Sequence, residues 1–551
     1  MSIKVVEKIG DVKIYGAGSM GGKGEGLVKI NECNIPAAHK LPTRVLTTVF
    51  FDHYLMNDRR FTGEELEILS GLLEQLGNIP ISVRSSATNE AITTQEGGGS
   101  VHAGENTSYM LPNNHPDAAT RFHQFIQAIE FIYSDFLKKQ PPDSREKMAI
   151  VINPIPGLFD NSDAGPIYYP LVSGVANSFF PYALKNQNPD EGFARIALGH
   201  GYATVLDDFP VKSMVTIRNP ISLELLENDQ SVFYAIDMSK NAHLSGEELE
   251  TMKKLHVRFS HRRFASLVGE QKNMITLENL IQQDRFGFKS GLCTILDIIS
   301  AKITAHYQIE FVFNLTETSE SGLSGQFHVV QLTQLPVLKF EAITFPENFN
   351  HQYLSISNFQ GHGIKTGVNY AVTVSPFIYS QREHDAVLKK IAAINQELQR
   401  QGQGYVLIAP GRLGSSNRNW GIQVEYRDVA GAVALFEYGV DISGRAEPQK
   451  EASDPTGGIY GSHFLYMIQG GFDEEQKRQQ TRMYGTQGTH FLTNLMSNNV
   501  IYGFISPIED SLDPWFFTPS SADDAVYVLK FPQPVSIYAD SVHQRCVIVS
   551  Q

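Results

Sequence analysis

The sequence predicts an α+β chain, and three observations carry that expectation. Short strands with alternating or continuous apolar patterning recur along it, as in KMAIVINPI (147–155), YQIEFVFNL (307–315) and YVLIAP (405–410). Between them lie helical stretches with apolar residues every three or four positions, such as Leu66, Leu69, Leu73 and Leu76. After Pro336 the composition turns loop-like (FEAITFPENFNHQ), which divides the 551 residues into parts 1–340 and 341–551.

Composition excludes several function classes. Asp plus Glu number 59 against 45 Lys plus Arg, a formal charge of −14. An acidic chain without basic runs is not expected to bind nucleic acid or an anionic membrane, although a local basic pocket for phosphates remains open. No apolar run approaches a membrane span, and MSIKVVEKIGDVKIYG lacks the apolar core of a signal peptide, so a cytoplasmic location is expected. The three cysteines, Cys33, Cys293 and Cys546, are far apart and form no CxxC. They are expected to be buried free thiols rather than disulfides or zinc ligands.

The first fifteen residues alternate well enough for one or two strands, and YGAGSMGGKGEGLVKI follows. Gly16, Gly18 and Gly21 match the dinucleotide fingerprint in form, but no acidic residue stands before Asp52 in the region where the ribose ligand belongs. A P-loop fails as well, because Ala17 replaces its first glycine and Gly24 its Ser/Thr. What remains is a glycine loop with Gly21 and Gly22 carrying Lys23 into a helix. It is read either as a phosphate contact through Lys23 and loop amides or as a surface turn. Thr62 and Glu65 then form a capping box for a helix ending at Gly77.

The stretch ISVRSSATNEAITTQEGGGSVHAGENTSYML (81–111) is the strongest local signal. A short strand delivers Arg84, Ser85 and Ser86 follow, and Gly97, Gly98, Gly99 and Gly104 free the backbone to approach a polyanion. The competing reading is a solvated turn. A helix with Phe122, Phe125, Ile129, Ile132 and Phe136 on one side follows, then further strands, and residues 220–300 read as mostly helical and polar.

YQIEFVFNL and FHVVQL are expected to pair as a hairpin, which would project Glu310 and Gln331 from one face. A carboxylate and an amide oxygen so placed suit Mg²⁺ beside a nucleotide; a solvated strand edge is the alternative. In the second part Ser380 and Glu383 cap a helix, and Arg412, Ser415 and Ser416 suggest a second anion site after YVLIAP, with a tight turn as the alternative. The pentapeptides at 461–465 (GSHFL) and 488–492 (GTHFL) echo each other, offering His463 and His490 as metal ligands, acid/base groups or phosphoryl acceptors, or as histidines hydrogen-bonded at strand starts.

Together GGKGEGL, ISVRSSATNE, the HAG that includes Ala103 and Gly104, EKMAIVIN, LVSGVANS, IEFVFN and VVQL resemble the ATP-grasp nucleotide-binding domain of phosphoenolpyruvate synthase and pyruvate phosphate dikinase, over about residues 15–337. The resemblance implies an ATP-grasp domain followed by a mixed α/β module. It implies that Lys23 and Arg84 hold ATP phosphates, that a lid at 97–107 closes over them, and that Glu310 and Gln331 are Mg²⁺ ligands. Residues 356–551 resemble the C-terminal part of a bacterial subfamily of phosphoenolpyruvate/pyruvate-binding proteins.

The chain departs from the family pattern at two positions. Phe136 and Thr333 stand where the family carries arginines, and phosphoryl transfer depends on positive charge at the transition state. Neither a phosphohistidine domain nor a phosphoenolpyruvate barrel is recognisable, so a stand-alone member is expected; Thr456–His463 only approximates the phosphohistidine motif. The leading expectation is an ATP- and Mg²⁺-dependent phosphotransferase acting on a small molecule or a separate carrier protein, forming AMP or ADP, with His463 or His490 as base or acceptor. The alternatives are a degenerate nucleotide-binding regulatory subunit and, third, a ligase working through an acyl phosphate.

Overall fold

The computed structural model describes residues 5–36, 39–90, 106–140, 144–162, 165–179, 191–201, 204, 212–215, 217–218, 230, 233–239, 256–259, 265–271, 274–318, 322–335, 342–357, 359–375, 384–414, 421–438, 491, 494–495, 498–505, 510–518 and 525–550. Among them the chain is mixed α/β with several sheets.

The first sheet contains β1 (Val5–Ile9), β2 (Val12–Tyr15), β3 (Thr43–Leu46), β4 (Ile81–Ala87), β5 (Tyr109–Leu111) and β6 (Met148–Pro154), in the order β1-β2-β3-β6-β4-β5. The continuous apolar run of β6 is buried on both faces, as its central position requires. Helices α2 (Thr48–Met56), α3 (Gly63–Leu76) and α4 (Ala118–Lys139) cover one face. There Ile81, Val83 and Ile150 meet Phe50, Leu69, Leu73, Phe125, Ile129 and Ile132. The Thr62–Glu65 capping box forms and α3 stops at Gly77, as the sequence predicts. Helix α1 (Gly21–Glu32) lies on the other face, where Leu27, Val28 and Ile30 join Val45 and Val151.

A second, wholly antiparallel sheet runs β9-β8-β7-β10-β11, with β7 Val172–Asn177, β8 Phe193–Leu198, β9 Lys212–Val215, β10 Tyr307–Thr318 and β11 Gly322–Gln334. Helix α5 (Phe288–Ser300) covers its apolar face, placing Phe288 against Phe311, Phe313 and Phe327. A third sheet of Leu158–Ser162, Gly165–Tyr169, Phe233–Asp237 and His256–Phe259 adds strands to the stretch 220–300, whose described residues are otherwise mainly helical, at 265–268, 278–281 and 285–300. FYAID is buried through its first four residues, and continuous apolar patterning of that length does not distinguish a strand from a buried helical turn.

The last sheet contains β12 (His351–Ile356), β13 (Phe359–Gln360), β14 (Gly363–Val374), β15 (Tyr405–Pro410), β16 (Ala432–Tyr438), β17 (Ile501–Ile505), β18 (Ser511–Leu512), β19 (Val526–Asp540) and β20 (Arg545–Ser550). Its order is β13-β17-β16-β15-β14-β19-β20-β12-β18, with β14 to β17 mutually parallel. Helix α6 (His384–Arg400) connects β14 to β15 and buries Val387, Ile391 and Leu398; Ser380 and Glu383 lie outside the described residues. Strands of the first three sheets all fall between residues 5 and 334, and those of the nine-stranded sheet between 351 and 550. Among the described residues no helix is long and apolar enough to cross a membrane. All three cysteines are free; Cys33 and Cys546 are buried, whereas Cys293 is partly exposed.

Candidate functional site

Strand β4 alternates, so its two faces carry different chemistry. Ile81, Val83 and Ala87 enter the helical core, and Ser85 shares their face. Arg84 and Ser86 point the other way, towards α1 and the second sheet. The Ser86 hydroxyl donates to the Met20 carbonyl (2.8 Å) and accepts from the Gly24 amide (3.1 Å), fastening the first turn of α1 to β4. Gly21 sits at φ +62°, and a Cβ there would lie 2.0 Å from the Ser86 carbonyl oxygen. One turn on, a Cβ at Gly26 would lie 2.0 Å from the Leu332 carbonyl oxygen of β11. Lys29 adds a hydrogen bond to Gln334, so α1 is wedged between β4 and β11.

That wedge brings two cations to one junction. Lys23, in the first turn of α1, forms a buried ion pair with Glu90 (Nζ to Oε2, 2.6 Å). Glu90 also accepts from the Ala87 amide (3.2 Å) and from Asn106 Nδ2 (3.1 Å). Arg84 reaches across to the second sheet, where Nη2 donates to Glu310 Oε2 (2.9 Å) and to Gln331 Oε1, and Nη1 donates to the Val330 carbonyl (2.9 Å).

The hairpin explains why three acceptors converge on one guanidinium. Glu310 and Gln331 are direct cross-strand partners, so they share a face as the sequence predicts. The register then shifts, because Phe311 pairs with Val329, which leaves Val330 as the extra residue of a bulge. Bulges turn backbone groups out of the ladder, and here the freed carbonyl is the one that Arg84 takes. Gln331 Nε2 donates to Thr333 Oγ1 (3.2 Å), an orientation that directs its Oε1 towards Arg84.

Register extends this polar face across the second sheet. Arg195 pairs with Val175, Val175 with Glu310, and Glu310 with Gln331, so Arg195 stands in the same row, about 10 Å from Glu310 at two strand spacings. Its apolar neighbours Ala194 and Ile196 belong to the opposite face. His328, paired with Val312, lies on the polar face too. Burial pushes its imidazole down to about 4, and the nearby His39 adds a smaller effect in the same direction. Between about pH 6.5 and 4 the unfolded chain therefore binds a proton that the folded chain does not, and stability falls as pH falls through that window. With allowance for partial exposure this amounts to on the order of 2 kcal/mol. Unfolding free energies from urea titrations at pH 7 and pH 4.5 are expected to differ less in His328→Gln than in the wild-type chain, by about that amount.

No protein-family model matches the chain, and no curated protein matches it.

Of the residues singled out from sequence, Gly21, Gly22, Lys23, Arg84, Ser86, Glu310 and Gln331 meet at this junction. Lys23 lies inside the helix rather than in the preceding loop. Ser85 faces away, its hydroxyl donating to the Asn106 carbonyl (3.2 Å). Gly98, Gly99, Ala103, Gly104, Ser415, Ser416, His463 and His490 lie outside the described residues. Arg412 lies on a short strand after β15, and its side chain is likewise outside them. Among the described residues, three amides beside it are already engaged within the chain. Gly411 donates to the Tyr438 carbonyl (2.9 Å), Leu413 to the buried Glu437 carboxylate (2.7 Å) and Gly414 to the Ile422 carbonyl (3.0 Å). Sequence reasoning missed Glu90, Asn106 and Arg195. For Arg195 a signal existed, since an arginine in the otherwise apolar FARIAL implies a built polar environment.

A carboxylate and an amide oxygen are donors of the type Mg²⁺ takes, and here both are engaged by Arg84, so an ion between them requires Arg84 to turn away. Glu310 Oε2 and Gln331 Oε1 converge on a single point, the one that Arg84 Nη2 takes.

Proposed function

We propose that this protein is an ATP-dependent phosphotransferase of the phosphoenolpyruvate synthase and pyruvate phosphate dikinase type, built on an ATP-grasp domain. The observation that carries the reading is the placing of Arg84, from β4, on the Glu310–Gln331 pair of the second sheet, with Lys23 of α1, the helix packed between β4 and β11, ion-paired to Glu90. Lys23, Arg84, Glu310 and Gln331 are the positions to which the sequence resemblance assigns phosphate and metal binding.

In this reading Lys23 Nζ and the Arg84 guanidinium hold the phosphate oxygens of ATP, stabilising the negative charge that spreads over them during transfer. Glu310 and Gln331 would hold Mg²⁺, which would supply further positive charge to the phosphates. The bond from phosphorus to the bridging oxygen breaks as the acceptor oxygen or nitrogen bonds to phosphorus, and the acceptor's proton leaves to a base. The test is incubation with Mg-ATP and chromatography of AMP, ADP and phosphate. The wild-type chain is expected to release product, and Lys23→Ala to lose roughly 10²-fold or more of that rate. Equal rates in the two proteins would contradict the assignment of Lys23.

A second reading, nucleotide binding without turnover, draws on two buried residues. Phe136 is sealed into an aromatic cluster with Phe51 (5.7 Å between ring centroids), and Thr333 is engaged with Gln331. Neither position supplies the cation that the family pattern has there. Saturable Mg-ATP binding with no product in the presence of candidate acceptors would favour this reading.

A further inference from the structure

Lys23 and Arg84 are each already paired with an internal carboxylate, and the two pairs differ in kind. Glu310 faces Arg84 together with Gln331, as a metal-binding pair would. Glu90 has no such second duty: on the reading proposed above it touches neither metal nor transferred group, yet it gives Lys23 a buried anionic partner at 2.6 Å. It is held in place from two other directions, by the Ala87 amide and by Asn106 Nδ2, so the carboxylate is positioned rather than floating.

We infer that Glu90 is a positioning residue that occupies Lys23 in place of a ligand oxyanion, so that the site takes ligands able to bring an outer phosphate to Lys23 and displace the carboxylate there: a nucleoside triphosphate or inorganic pyrophosphate rather than a nucleoside monophosphate, which has no second phosphate to place on it. The inference rests on the phosphate-site reading of Lys23. A buried ammonium cannot be left without a counter-charge, because burial of an unpaired ion is strongly destabilising. With Glu90 in place Lys23 is held in an ion pair without a ligand. A ligand then replaces an existing ion pair instead of creating one, which lowers the affinity of ligands whose phosphate reaches Lys23.

The test is Glu90→Gln, which preserves size and an acceptor oxygen but removes the charge. Without ligand its melting temperature is expected to fall by several degrees, and saturating Mg-ATP or inorganic pyrophosphate is expected to restore it. By calorimetry it should bind Mg-ATP and pyrophosphate roughly tenfold or more tightly than the wild-type chain, with AMP affinity unchanged. Should Glu90→Gln fail to fold, Asn106→Ala removes one support of the carboxylate and is expected to tighten Mg-ATP binding by about threefold. Binding by the wild-type chain without tightening in either variant overturns the inference while leaving the phosphate site standing. An equal gain for AMP also overturns it, because that is a through-space charge effect. No binding of ATP or pyrophosphate by any of these proteins overturns the inference together with the reading beneath it.

Discussion

Arg84→Ala is expected to lower phosphoryl transfer by roughly 10²–10³-fold and to weaken Mg-ATP binding by about 2 kcal/mol or more. The size of the effect follows from what converges on this one guanidinium: a carboxylate, an amide oxygen and the carbonyl of a bulged residue. Removing it deprives the phosphates of a forked cation and leaves Glu310 and the Val330 carbonyl without their donor. Arg84→Lys separates the two consequences. Lysine keeps the charge but cannot serve several acceptors in one plane, so it should recover part of the stability and little of the turnover. Melting temperature and single-turnover rate, measured on both variants, check this. Turnover equal to wild type in Arg84→Ala would remove the residue from the reaction.

Gly26→Ala is expected to destabilise the protein by about 3 kcal/mol or more, measured as a lower urea midpoint. In an open helix the same change gains up to about 1 kcal/mol, because alanine is the better helix former. Here the new methyl group meets the Leu332 carbonyl at 2.0 Å, and neither the β11 backbone nor α1 has a flexible side chain to move aside. Gly71→Ala is the control: it lies inside α3 with nothing within 4 Å of the built Cβ, and it should stabilise by about 0.5–1 kcal/mol. Retreat of α1 in Gly26→Ala would also carry Lys23 away from Glu90 and the junction. A stabilised Gly26→Ala would contradict the wedging of α1 between the two sheets.

Much of this arrangement was legible because it is local or periodic. The capping box of α3 needs only Thr62 and Glu65, three residues apart, and the period of two in YQIEFVFNL and FHVVQL places Glu310 and Gln331 face to face once the strands pair. The same period in β4 already separates Ser85 from Arg84 and Ser86. What escaped depends on distant residues. Glu90 is 67 positions from Lys23, and no local pattern distinguishes it from a turn glutamate. The bulge at Val330 shifts the register by one residue within an apolar run where alternation is silent. The strands at 233–237 and 256–259 belong to a sheet completed by residues near 160, so tertiary pairing decides their state.

In the proposed site, phosphate groups are held by Lys23 of α1 and by Arg84, which reaches the Glu310–Gln331 pair. Titration calorimetry of the wild-type chain with Mg-ATP and, separately, with AMP tests this most directly. Two charged hydrogen-bonding contacts to the outer phosphates predict one site per chain with Mg-ATP favoured over AMP by roughly 100-fold or more. Equal affinity for the two nucleotides, or no binding of Mg-ATP at millimolar concentration, would contradict the account.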